Sequence, residues 1–366
     1  MIALDSLLDT LPGGLVSEPA RKHLRQIGDQ LPDALAGRIG LEARLHDENS
    51  PVGTGRGFSP RSQGSLLTRA DHDTVDLLLL VSTERQLAVL AGTDSAVVLP
   101  THLQQTPAWQ GAARLARRSQ RLLRGGGPIP PAIWLEFDAA GTSLEQPPLV
   151  PGLFTAAAPD PQNPAAQNWN TLGTIDQILV ASSTDPVSST LAAAIGNVVD
   201  SALTVRQVGL FPGRAHRAVR LFCAVERADR LTRTLTGCGW NGPVEEVTRW
   251  AAFCAGYSSE LHLDLDVTAE GVRPAIGLEI SLSGTPQPAQ DPRWAELFSQ
   301  LVEAGSCAPA KASALLELGT SYDAPLLPPR RYKQGLHHLK LTVSAEGTTT
   351  AKAYFGAYDL ASVVSR

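Results

Sequence analysis

Residues able to move protons or hold charge recur at every second position along several apolar stretches of this chain. The pattern is clearest in LHHLKLTVSAEGTTTAKAYFGAY, residues 336–358. Successive strand side chains point to opposite faces. On the first arm that rule puts His337, Leu339, Leu341 and Val343 on one face and His338, Lys340 and Thr342 on the other. After the turn signal Ala345-Glu346-Gly347, Ala353, Phe355 and Ala357 oppose Lys352 and Tyr354. ELHLDLDV (260–267) and RPAIGLEISL (273–282) repeat the split, with His262, Asp264, Asp266 and Glu279 on the polar side. So do IGLEARLH (39–46, with Glu42, Arg44 and His46), PAIWLEFDA (131–139, with Trp134, Glu136 and Asp138) and RAVRLFCAVE (217–226, with Arg220). Lys340, Lys352, Arg220 and Tyr354 are types that hold an anion or steady a developing enolate. Glu279, Asp264 or His338 can take a proton, and Tyr354 or a lysine can give one. Arg44, Glu136, Arg220 and Trp134 are the matching candidates for binding substrate.

These residues need a sheet to bring them together. An open antiparallel sheet, helices on one side and water on the other, explains charged alternate positions without any function. A closed barrel turns the same positions into the lining of a lumen, where carboxylates, cations and a phenol can satisfy one another. About eight strands give a barrel filled by side chains, and more leave a cavity. The sequence reads as α+β with about ten strands, arranged as an antiparallel barrel or strongly curved sheet with helices outside it. Helices are expected over 17–35 (interrupted by Pro32), 107–124, 186–201, 227–238, 243–255, 291–304 and 308–318. Besides the stretches above, strands are expected over 75–82 paired with 87–91 around Thr83-Glu84-Arg85, and over 175–182 and 205–211. Residues 47–70 read as a mobile surface loop, 141–173 as a long irregular Pro/Ala-rich connection and 325–329 as Pro-rich. The expected organisation is one domain in two halves, 1–140 and 174–366, joined by that connection. No βαβ rhythm appears, which disfavours a doubly wound sheet.

Composition narrows the function. The 366 residues are 43% hydrophobic and 18% charged, ordinary for a folded chain with a large core. A net charge of -5 and few aromatics (5%) argue against nucleic acid as a partner. The N-terminus has no basic n-region, and no run approaches the ~18 apolar residues of a membrane span, so a cytoplasmic protein is expected. Cys223, Cys238, Cys254 and Cys307 lie far apart, which fits reduced, buried thiols rather than a zinc site. Neither a metal nor another cofactor is expected. Gly53-Thr54-Gly55-Arg56-Gly57 lacks the Lys-Ser/Thr and the strand-to-helix context of a phosphate loop. His337 and His338, as neighbours on a strand, should face opposite ways and cannot share a metal. The arginines of 107–124 (Arg114, Arg117, Arg118, Arg121, Arg124) form a basic helix face, solvated or able to dock an acidic leader peptide.

Taken together, LEARLH, WLEFD with VPGLF, VGLF with RAVRLF, LTGCGWNG, LDLDV with IGLEISL, DPRWAELFSQLVEAGSCAPAKASALL and HHLKLTV with AKAYFGAY resemble a partner-protein family of class V lanthipeptide clusters in actinobacteria and cyanobacteria. The resemblance spans about residues 39–358. It implies a lanthionine cyclase that adds peptide Cys thiols to dehydroalanine or dehydrobutyrine, which separate kinase-like and lyase proteins make in the precursor peptide. The better-known lanthipeptide cyclases use zinc, and this sequence shows no zinc ligand set. The helix and strand-pair rhythm is also similar to that of the ABBA prenyltransferases. In that family Lys, Arg and Tyr on barrel strands bind a prenyl diphosphate, and Lys340, Lys352, Tyr354, Arg220 and Arg44 hold comparable places. A non-catalytic, peptide-binding scaffold is the third reading.

Overall fold

The computed structural model describes residues 1–35, 38–45, 75–124, 132–138, 149–157, 173, 175, 188–201, 203–213, 218–225, 228–258, 260–281, 287–318, 321–324 and 330–359. Its centre is a closed barrel of ten antiparallel strands. They are β1 (Arg38–Arg44), β2 (Val75–Val81), β3 (Ile133–Phe137), β4 (Gly152–Ala156), β5 (Leu203–Leu210), β6 (Val219–Val225), β7 (Leu261–Thr268), β8 (Gly271–Ile280), β10 (Arg330–Val343) and β11 (Thr349–Asp359). From β1 to β8 each strand pairs with the next, and β8 pairs with the second half of β10. β11 then pairs with β10 on one side and β1 on the other, which closes the ring. A short β9 (Ser321–Ala324) joins the start of β10 outside the ring.

Alternation decides which face goes where. Leu41, Leu77, Leu135, Leu153, Leu221, Leu263, Leu278, Leu339, Ala353 and Phe355 are fully buried on the outer face of the ring and join the helices in one apolar core. The helices meet them with amphipathic faces. In α2 (Glu18–Asp29), capped by the Ser17 hydroxyl on the Ala20 amide, Leu24 and Ile27 are inside. In α5 (Pro107–Arg124), after α3 (Glu84–Ala91) and α4 (Thr101–Gln104), the inner face is Trp109, Ala112, Leu115 and Ala116. Trp250 and Cys254 serve α8 (Val244–Ala255), and Trp294, Phe298 and Leu301 serve α9 (Arg293–Glu303). The remaining helices are α1 (Ile2–Thr10), α6 (Ser189–Val199), α7 (Leu231–Gly237) and α10 (Pro309–Leu316). Helices therefore fall between strand pairs, on the outside.

Three expectations need correcting. Residues 87–91 are not a strand but lie in α3. The Thr83 hydroxyl accepts from the Gln86 amide while the Gln86 side chain accepts from the Thr83 amide, and Gly92 at φ 71 ends the helix. A five-residue apolar run has no period of its own, so the reciprocal cap decides. The connection 141–173 is not wholly irregular, because β4 lies within it. Pro151 and Gly152 disguise the strand, and that glycine leaves room for the Phe211 ring, which would stand 2.7 Å from a Cβ. Of the strand expected over 175–182 only Ile175 is described; its backbone is helical and its side chain buried. The expectations for 47–70, the Gly53–Gly57 segment, His46 and 325–329 lie outside the described residues.

The closing seam depends on glycine. Gly335, Gly356 and Gly40 stand in one register row across β10, β11 and β1. A Cβ on Gly356 would lie 2.0 Å from the Ile39 carbonyl oxygen, which is backbone and cannot swing away. Gly356→Ala is therefore expected to cost about 1–3 kcal/mol or more, the usual toll of overpacking, read as a lower urea midpoint at unchanged slope.

Candidate functional site

Along the inner face of the ring the side chains fall into two chambers. One, of about 150 Å³, is lined by Leu78, Trp134, Phe154 and Phe222 together with Arg38, Glu279, His338 and Tyr354. The other, of about 560 Å³, is lined by Arg44, Asp76, Asp138, Asp266, Thr342, Thr350 and Lys352. Arg220, Asp264 and Lys340 border both. The lumen therefore runs from an aromatic end to a charged end, and paired charges lie between them.

Those charges are matched one to one. The Lys340 ammonium donates to Asp264, the Lys352 ammonium to Glu42, and the Arg220 guanidinium to both oxygens of Asp266 at 2.8 and 3.0 Å. Lys340 and Asp264 are only 7% and 9% exposed, so each is the other's main compensation for lost water. Burial works against the Lys340 ammonium most strongly, but Asp264 together with Glu42 and Glu279 outweighs it and raises its pKa. Burial would also raise Glu42, yet Lys352, then Lys340, and hydrogen bonds from Lys352 and the Tyr354 hydroxyl bring it down to about 2.

Glu279 behaves differently. It faces the aromatic chamber, its carboxylate 3.5 Å from His338 Nε2. Burial first, then the Asp264 carboxylate, push it up to about 8, with Lys340 pulling the other way. His338 stacks on Tyr354, ring centroids 4.1 Å apart and planes at 19°, and the two are direct cross-strand partners. Burial and then Lys340 hold the His338 imidazole at about 3, which makes it a poor base. Tyr354 is pushed well above its ordinary value by burial and then by Glu42, so it keeps its proton.

The two histidines do not face opposite ways. A β-bulge falls between Leu336 and His338, leaving His337 as the extra residue, and both side chains line the aromatic chamber. Bulges near the rim of a barrel re-aim side chains in this way. Gln287 braces the bulge: its Oε1 accepts from the Leu336 amide at 2.9 Å and its Nε2 donates to the Leu336 carbonyl at 3.3 Å. His337 Nδ1 lies 3.4 Å from an Arg38 guanidinium nitrogen. Burial, then Arg38, lower the His337 pKa to about 3.

The effect on stability has a definite sign. Both imidazoles titrate lower in the folded chain than the 6.5 of an unfolded one, so the unfolded chain takes up their protons first. Stability is then lost as pH falls from about 6.5 towards about 3, with Glu42 adding a loss from about 4.5 towards 2. Glu279, raised, acts oppositely and costs stability as pH rises from about 4.5 to about 8. The urea midpoint should therefore peak near pH 6.5, and His337→Gln with His338→Gln should flatten its acid side.

Every candidate from the sequence lies in the lumen. Glu279, His338, Tyr354, Trp134 and Glu136 line the aromatic chamber, Arg44 and Lys352 the charged one, and Arg220, Asp264 and Lys340 both. The sequence reading missed Arg38, Asp76, Phe154, Gln207 and Phe222, together with the shared orientation of the histidines. In VDLLLLV the inward positions after Asp76 are Leu78 and Leu80, so no polar alternation marks the strand. A second bulge between Val205 and Gln207 breaks the count along β5.

Among the described residues the carboxylates of Glu42, Asp76 and Glu136, on three neighbouring strands, come within 4.8 Å of one another. That all-oxygen set suits a hard cation and not zinc, and Glu42 is already engaged by Lys352. Cys223, Cys238, Cys254 and Cys307 form no disulfide and are buried, and burial raises Cys254 to about 12. Such thiols are not nucleophiles. Trp240, Trp250 and Trp294 belong to the core. On the basic helix, Arg117 Nε donates to the Ala91 carbonyl. No described helix is long and apolar enough to cross a membrane. Compared with protein-family models and with curated proteins, the chain matches none.

Proposed function

We propose that this protein is a lanthionine cyclase that uses acid–base chemistry in its barrel lumen to add a peptide cysteine to dehydroalanine or dehydrobutyrine. The observation that carries the reading is the Glu279 carboxyl, enclosed at the aromatic end beside His338 and Tyr354 and next to the Lys340–Asp264 pair. A carboxyl at about 8 nearly matches a cysteine thiol at ≈ 8.5. A proton can pass between them at little cost.

The step is an isomerisation. Glu279 takes the thiol proton, the thiolate forms a C–S bond at the β-carbon, and the C=C π pair moves onto the carbonyl as an enolate. The cationic side chains of Lys340 and Arg220 steady that charge. The proton on Glu279 then returns to the α-carbon, so nothing is gained or lost. The protein's own thiols being inert, the nucleophile belongs to the substrate. The partners on this reading are the precursor peptide and the kinase-like and lyase proteins that dehydrate it, in a compartment that keeps thiols reduced.

The alternative, an ABBA-type prenyltransferase, has the barrel topology in its favour. A diphosphate carries several charges and would have to draw Lys340, Lys352 and Arg220 away from Asp264, Glu42 and Asp266, whereas a singly charged enolate has only to lie beside those pairs. The test is to incubate the pure protein with a dehydrated, cysteine-containing precursor and follow mass and alkylatable thiols. Loss of thiols without change of mass supports the cyclase. Persistent thiols on a peptide that still binds support a scaffold, and turnover of a prenyl diphosphate would support the alternative.

A further inference from the structure

The aromatic chamber is larger and more apolar than proton transfer requires. Leu78, Trp134, Phe154 and Phe222 are each only half-buried although they point inward, so their free surface is the chamber wall. The three aromatic rings each rest against a neighbouring side chain. The Arg38 guanidinium lies 5.4 Å from the centroid of the Trp134 ring, Phe222 stacks on His262 at 4.8 Å, and Phe154 meets Phe211 edge-on at 5.1 Å. Gly209 supplies the remaining room, because a Cβ there would stand 2.2 Å from the Phe154 ring. Rings fixed before binding form a pocket that does not lose ordering entropy when it fills. Aromatic and aliphatic surface set among placed polar groups is the usual make-up of a ligand site, and Glu279, His338 and Tyr354 are among those groups here.

We propose that this chamber is a specificity pocket, which seats an aromatic or branched aliphatic side chain of the peptide next to the residue that reacts at Glu279. The inference rests on the peptide reading above and adds the substrate class: ring-forming cysteines with an apolar neighbour. Placing that neighbour among Leu78, Trp134, Phe154 and Phe222 removes apolar surface from water. It also brings the thiol beside Glu279, His338 and Tyr354, which line the same chamber.

The test uses two dehydrated peptides that differ only in the residue beside the reacting cysteine, Leu in one and Ser in the other. Wild-type protein should close the Leu peptide with a kcat/KM roughly 10–200-fold higher, the span a hydrophobic pocket achieves for small changes in its occupant. Gly209→Ala, which drives the Phe154 ring off β5, should erase most of that preference while the Ser peptide still closes. Phe154→Ala, which enlarges the pocket, should shift the preference from Leu towards Trp, read with a third peptide that carries Trp at that position. Equal rates for the two peptides in wild type would overturn the inference and leave the cyclase reading standing, as would a preference that neither variant changes. If no peptide cyclises at all, the cyclase reading fails and the pocket is judged by equilibrium binding of N-acetyl-phenylalaninamide. Binding that Gly209→Ala abolishes would support the pocket, and no binding would overturn it.

Discussion

Glu279→Gln should slow ring closure by about 10²–10⁴-fold, the range expected when a positioned proton carrier is removed. The change keeps the shape of the side chain and removes a titration at about 8, so folding should be intact and the loss should appear in kcat. The pH profile gives the stricter reading. As a base Glu279 acts when ionised, so the wild-type rate rises with pH through about 8. At pH 7 only about a tenth of the molecules carry the carboxylate. In the variant that limb should be replaced by the thiol's own ionisation near ≈ 8.5, on a much lower rate. A variant that keeps both the rate and the midpoint would remove Glu279 from the chemistry.

Lys340→Ala should give the largest loss of stability of any single change in the lumen. Asp264, 9% exposed, would be left as a buried charge without its ammonium. Breaking one side of such a pair costs about 3–5 kcal/mol. Removing both charges differs from removing one: Lys340→Met combined with Asp264→Leu should recover most of the loss, because the desolvation penalty goes with the pair. Urea unfolding of Lys340→Met, of Asp264→Leu and of the double variant measures the coupling. Additive losses would show that the pair is not the compensating unit. Gly277 bears on the same site, since a Cβ there would lie 2.6 Å from Lys340 Cε and 3.1 Å from Asp264 Cβ.

Much of this site was legible in the sequence because the barrel obeys a period of two. Arg44, Glu136, Arg220, Asp264, Glu279, Lys340, Lys352 and Tyr354 were assigned to one face by alternation alone, and that face became the lumen. Alternation fails where the backbone adds a residue. The bulges at His337 and beside Gln207 re-aimed side chains that a strict count sends outward or leaves unplaced. It fails again where inward positions are apolar, as with Leu78, Phe154 and Phe222, because an aromatic pocket looks like core in a sequence. LAVLA reads as strand because five apolar residues carry no period, although Thr83 and Gln86 hold the helix signal. Closure itself rests on the contact between β11 and β1, more than 300 residues apart in register pairs such as Gly40 with Gly356. No local pattern specifies a pairing at that distance.

On the cyclase reading, the closed lumen holds the Glu279 carboxyl protonated near neutrality at the point where a thiol is to react. The most direct test labels glutamate side-chain carboxyls with carbon-13 and follows them by NMR as pH rises, with Glu279→Gln assigning the resonance. A midpoint at about 8, moving when a dehydrated peptide is added, is the predicted result. A midpoint near the ordinary 4.5 of a glutamate, indifferent to the peptide, would contradict both the enclosure of the site and the role assigned to it.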